Sequence, residues 1–261
     1  MKHEDGFHFV EHKCASGKPD ALIIFLHGHA NHPDMFRELP PHLQKEFPNA
    51  DILVVRGPEP VGAAPQHKKN VGVPDVDDLY TWYKVDKDAG KNLQMALGHF
   101  FNNVPIVDKM NKFADAQLEK RGLKDENLVL YGFSLGGAVV VQMATKRNDK
   151  CAAVVAHSSP VFPVINPKSK PDTMLIMGEE DPLFYKKATT VERPKKQHPL
   201  KKAFEKAIAP ISVHYNHSIK RLRRAGLPVT GVVINGMAHT INEESFKQSI
   251  DFIGKKINKK P

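Results

Sequence analysis

The segment YGFSLGG, residues 131–137, sets a serine between glycines where an apolar run, NLVL, gives way to the helix-compatible AVVVQMA. Gly132-Phe133-Ser134-Leu135-Gly136 fits G-x-S-x-G, in which a serine sits on a sharp strand-to-helix turn and the glycines leave the backbone room to bend. A serine hydroxyl is a poor nucleophile near neutral pH. It needs a histidine to take its proton during attack, and a carboxylate to orient that histidine and stabilise its imidazolium form. Downstream, GEEDPLF offers Glu179, Glu180 and Asp181 as the acid, and GMAHTINEE offers His239 as the base. The order serine, acid, histidine is that of the α/β-hydrolases, and differs from the chymotrypsin and subtilisin orders.

Acyl chemistry also needs N–H groups aimed at the developing oxyanion. One is expected from Leu135, directly after the serine. The other is expected from the loop after the run ALIIFLHG, where His27-Gly28 marks the position and the backbone N–H of His29 is the donor. The same loop carries a rival reading. His27, His29 and His32 spell H-x-H-x-x-H, resembling the start of a metallo-β-lactamase-type zinc site, with three imidazoles and an open coordination position. Asn31 stands where that pattern places an aspartate, and no obvious downstream ligand set follows.

The elements that must position these groups are short apolar strands alternating with helices. FHFVEH (7–12) alternates like an edge strand, and ALIIFLHG (21–28) and ILVV (52–55) read as strands buried on both faces. A helix is expected over 34–47, broken by Pro40-Pro41, and another over 91–121, where Ile106, Val107, Met110, Phe113, Ala114, Gln117 and Leu118 recur at helical spacing up to Gly122. Strand 127–133, helix 135–148, strands 151–158 and 173–178, a helix over 212–225, strand 229–236 and helix 242–257 complete the pattern. This predicts a mainly parallel central sheet flanked by helices in one domain spanning 1–261. In such sheets ligands bind beyond the carboxyl ends of the strands, where Ser134, the acids and His239 fall.

With 261 residues, the chain is long enough for one full core. No apolar run is long enough for a membrane span. The charged start MKHEDGFHFVEHK does not read as a signal peptide, and only Cys14 and Cys151 are present, so two free thiols in a reducing cytoplasm are expected. The net charge is +9, carried mostly by lysine, which suits a solvated surface better than base readout, and no nucleic-acid-binding signature appears. An anionic lipid or membrane surface is the partner a basic face would attract.

Nearly the whole chain, 20–255, resembles the phospholipase/carboxylesterase family of α/β-hydrolases, which includes acyl-protein thioesterases and bacterial carboxylesterases. IIFLHGHANHPDMF resembles its oxyanion-loop segment, ILVVRGPEP its next strand and loop, and YTWYKVD a tryptophan segment bordering the acyl pocket. YGFSLGGA, GEEDPLF and GMAHTINEES resemble its nucleophile, acid and base segments. The resemblance implies the α/β-hydrolase fold, selects Asp181 as the acid through the Asp-Pro that follows, and makes Trp82 an acyl-pocket residue, with a core position as the equal alternative. Leu135 departs from a glutamine common there in the thioesterases, and Ala30 from a frequent glycine. The 58 positions between Asp181 and His239 look about twenty too many, and the excess falls in a basic insertion at about 182–210. Between Lys186 and Lys206 that insertion holds eight Lys or Arg against two Glu, as a lid or a binding element would.

The implied protein is a cytoplasmic serine hydrolase of small-molecule esters or acyl-thioesters, monomeric or homodimeric, needing neither cofactor nor metal. A non-catalytic binding protein on the same fold and a metallohydrolase using His27, His29 and His32 are the rival classes.

Overall fold

The structure, a computed structural model, describes residues 1–61, 78–83, 93–164, 166–183, 185 and 214–257. The basic stretch 186–206 lies outside the described residues.

Among the described residues the apolar runs become one eight-stranded sheet. Its strands are β1 (Lys2–Glu4), β2 (Phe7–His12), β3 (Ala21–Leu26), β4 (Ala50–Val55), β7 (Leu128–Phe133), β8 (Ala153–His157), β9 (Thr173–Gly178) and β10 (Val229–Ile234). A separate ribbon pairs β5 (Glu59–Pro60) with β6 (Tyr80–Thr81). The sheet order is β1-β2-β4-β3-β7-β8-β9-β10. Pairing is parallel from β4 through β10 and antiparallel for β1–β2 and β2–β4. The continuous apolar composition of β3, β4, β7, β8 and β9 follows from burial on both faces.

Each face is sealed by helices. On one, α2 (Leu93–Glu119) and α3 (Leu135–Lys146) cover Leu22, Ile24, Leu26 and Leu130. Phe113 of α2 meets Phe7 and Phe9 edge-on, at 5.5 and 5.4 Å between ring centres, locking the antiparallel edge to the helix. α4 (Tyr215–Arg224) joins this side. On the other face, α1 (Leu39–Glu46) and α5 (Glu243–Ile257) cover Ile23, Phe25, Ile52 and Tyr131.

Two expectations are corrected. The segment 34–47 is not a helix broken by Pro40-Pro41. It is a 3-10 turn, Pro33–Phe36, followed by α1, whose first turn holds both prolines. Proline belongs there because the first turn's N–H groups have no intrahelical acceptor. The outermost strand is β1, not residues 7–12, which pair on both sides. β1 is short and charged, so it carries no apolar signal. α4 ends at Gly226, whose φ is +84°, and Leu227 N–H reaches back to Leu222 O at 3.1 Å to close it. Cys14 and Cys151 are free and buried, and burial pushes the Cys151 thiol up to about 12. Among the described residues no helix is long and apolar enough to cross a membrane.

Candidate active site

The carboxyl ends of β3, β7, β9 and β10 open at one edge of the sheet, so the residues that follow them converge. Ser134 follows β7 with φ +50° and ψ −121°, a conformation that L-residues rarely adopt. The surrounding glycines explain how the chain holds it. Their φ values are ordinary, and their use is space. A Cβ on Gly132 would stand 2.4 Å from the Gly136 backbone, and one on Gly137 would stand 2.6 Å from Ser159 Oγ. Ser134 N–H donates to His157 O at 2.8 Å, anchoring the turn to β8. Leu135 is the first residue of α3, so its N–H has no intrahelical acceptor and lies at the positive end of the helix dipole.

The acid and base loops are laced together. Glu179 N–H donates to Ile234 O at 2.9 Å and Glu180 N–H to Met237 O at 3.0 Å. Gly178 permits this approach, since a Cβ there would lie 2.0 Å from Met237 O. Asp181 is thereby turned inward with its carboxylate fully buried. Its Oδ1 accepts the Leu183 N–H at 2.9 Å, and its Oδ2 lies 2.7 Å from His239 Nδ1. His239 Nε2 lies 3.0 Å from Ser134 Oγ. Glu179 and Glu180 do not reach this chain: Glu179 Oε2 faces Gly236 N–H, and Glu180 is exposed. With Nδ1–H donating to Asp181, Nε2 is left as the acceptor for the serine proton.

The loop after β3 closes the site from the other side. A Cβ on Gly28 would stand 3.1 Å from Ser134 Cβ, so the loop abuts the nucleophile. Asn31 Oδ1 accepts Gly28 N–H at 3.1 Å, and Asn31 pairs through both backbone groups with Tyr80. His29, one residue on, is held through its Nδ1 at 2.9 Å from Thr81 Oγ1. Ala30 takes φ +53°, which accounts for the glycine frequent there in the family that the sequence resembles.

The zinc reading is corrected. His27 is buried with both ring nitrogens committed: Nδ1 lies 2.7 Å from Gly28 O, and Nε2 accepts the Gly57 N–H at 2.9 Å. Its one lone pair is therefore spent on Gly57. His32 Nδ1 accepts the Asp34 N–H at 3.2 Å. Among the described residues no three His, Cys, Asp or Glu side chains are grouped to hold a metal. Trp82 is buried in the core, its indole N–H donating to His27 O at 2.7 Å, so it props up the base of the loop.

Residues that the sequence did not flag also shape the site. His157, at the end of β8, is fully buried beside Phe133, and among the described residues neither of its ring nitrogens has a hydrogen-bond partner. Burial, with His239 adding to it, pushes its proton affinity down to about 3, so it stays neutral. His27 is held at about 4, chiefly by burial. His27 stood out in the sequence by its spacing, whereas His157, one histidine among fourteen, carries no sequence signal of its environment.

A sequence model of the alpha/beta hydrolase fold matches residues 21–189. The chain belongs to the α/β-hydrolase family. This α/β-hydrolase superposes on esterase PE8 with a TM-score of 0.72 at 17% identity, over 96% of this chain and 99% of that one. It superposes on the Bacillus cereus carboxylesterase with a TM-score of 0.60 at 15% identity, covering 96% and 94% of the two chains. For SOBER1 of Arabidopsis thaliana the TM-score is 0.63 at 15% identity, covering 91% and 99%. No curated protein sequence matches it. At such identities the shared property is the α/β-hydrolase fold.

Proposed function

We propose that this α/β-hydrolase is a serine hydrolase that cleaves carboxylic esters or thioesters through an acyl-enzyme, as a member of the phospholipase/carboxylesterase group. The observation that carries the reading is the hydrogen-bonded chain from Ser134 Oγ through His239 to Asp181, with spacings of 3.0 and 2.7 Å. Ser134 Oγ bonds to the acyl carbon while His239 Nε2 takes its proton. The N–H groups of Leu135 and His29 stabilise the oxyanion. Collapse breaks the bond to the leaving alcohol or thiol, which receives the proton from His239. Water then attacks the acyl-enzyme, giving its proton to His239, and the acid departs as Ser134 regains a proton. Asp181 holds the imidazole in its working tautomer throughout. Support for an ester as substrate comes from the names of structural neighbours, an esterase and a carboxylesterase among them.

The test is steady-state hydrolysis of a p-nitrophenyl ester by the wild type and Ser134→Ala. A fall in kcat of at least about a thousandfold is expected, with a residual rate over water left by binding and the oxyanion donors. A folded Ser134→Ala protein with near-wild-type kcat excludes the mechanism.

A further inference from the structure

The described arginines that are well buried are supplied with acceptors. Arg121 donates to Asp51 at 2.8 Å and Glu11 at 2.6 Å, and Arg147 binds Asp115 and Asp125. Arg221 donates to Val161 O. Arg56 is different. It is half-buried, its buried Nε, like that of Arg221, has no acceptor among the described residues, and no described carboxylate pairs with its guanidinium. Its guanidinium instead lies over the Tyr80 ring, 4.1 Å from the centre.

Strand register locates this group relative to the reacting atoms. Leu26 of β3 is paired with Val55 of β4 on one side and with Gly132 of β7 on the other. β3 and β4 end at this rung, so Arg56 and His27 are the first residues past their strand ends, and Phe133 is the last residue of β7. At the usual strand spacing the Arg56 backbone is thus about 10 Å from that of Phe133, next to Ser134. The oxyanion loop lies between, tied to the same support, since Tyr80 pairs with Asn31 and Gly57 N–H binds His27. No described carboxylate forms an ion pair with Arg56, although Asp34 and Asp78 both act on the neighbouring His32. His8, whose carbonyl accepts the Arg56 N–H at 2.8 Å, and His27 and His32 all have their proton affinity lowered first by burial, with the Arg56 charge adding to it. The nearby Asp34 carboxylate lies 3.4 Å from His32.

We propose that Arg56 is a specificity-determining residue that docks a carboxylate carried by the substrate, so that the preferred substrates are half-esters or half-thioesters of dicarboxylic acids. This rests on the esterase reading above. Stacking on Tyr80 fixes the guanidinium plane and covers one face, leaving in-plane approach to the amino groups, the direction in which a carboxylate forms paired hydrogen bonds. A cation without an ion pair also attracts anions.

The test compares p-nitrophenyl hydrogen glutarate with the neutral p-nitrophenyl valerate for the wild type, Arg56→Met and Arg56→Lys. The ratio of kcat/KM, charged over neutral, should fall at least tenfold in Arg56→Met, mainly through KM, and by less in Arg56→Lys, which keeps the charge without the planar fork. An unchanged ratio overturns the proposal, whether both substrates slow together, as loss of packing on Tyr80 would cause, or neither does. Calorimetric titration with glutarate separates this from the esterase reading. If the wild type hydrolyses neither ester, that reading fails, and glutarate binding that is weakened tenfold or more by Arg56→Met still supports the carboxylate site. Binding equal in wild type and variant, or none in the wild type, overturns it.

Discussion

Gly136 rests directly on the end of β3: a Cβ there would stand 2.2 Å from Leu26 O and 2.5 Å from His27 O. The first turn of α3 is thereby pressed against the strand that launches the oxyanion loop. The second glycine of the G-x-S-x-G motif holds together the two elements that carry the proposed oxyanion donors. Both neighbours are backbone, which cannot step aside. Gly136→Ala should therefore destabilise the fold by about 3 kcal/mol, the upper part of the range for overpacking. Urea unfolding checks this, and a variant within about 0.5 kcal/mol of wild type would contradict the packing.

Ala30 makes the opposite prediction. Its φ of +53° costs an alanine about 1–2 kcal/mol that a glycine does not pay. The greater freedom of glycine in the unfolded chain returns about 0.5–1 kcal/mol of that. Ala30→Gly should leave a net gain of about 0.5 kcal/mol, read as a higher urea midpoint at unchanged slope.

The difference between these two positions shows what the sequence could convey. The glycines around Ser134, the order of Ser134, Asp181 and His239, and the apolar runs of β3, β4, β7 and β9 are local signals, and each was legible. The lacing of Gly178 to Met237 joins residues far apart in the chain, so nothing local announced why GEEDPLF and GMAHTINEE should meet. His27 looked like a metal ligand because its spacing to His29 and His32 is visible, while the Gly57 N–H that occupies its lone pair is not. For Trp82 the sequence left acyl pocket and core open, and it is found buried with its N–H on His27 O. β1 was missed because three polar residues, Lys2–Glu4, carry no periodicity to read.

Two buried histidines set the acid limit of the fold. His27 and His157 are held at about 4 and about 3, both mainly by burial, against about 6.5 in an unfolded chain. Their folded values are depressed, so below about pH 6.5 the unfolded chain binds protons that the native chain refuses. Stability must therefore fall as pH drops from about 6.5 toward 4. Each histidine contributes a loss on the order of 2 kcal/mol between pH 7 and 5. His157→Leu removes one of them, so urea midpoints should depend less steeply on pH in that variant. Parallel wild-type and variant profiles would show that His157 is not held neutral.

The central claim is that Ser134 is the nucleophile of a metal-independent acyl transfer. The most direct measurement is peptide mass spectrometry after reaction with a fluorophosphonate, with and without EDTA. The account predicts one adduct, on the peptide containing Ser134, formed at the same rate in EDTA and lost in His239→Ala. Absence of an adduct at Ser134 in folded protein, or ester hydrolysis that EDTA abolishes, would contradict it.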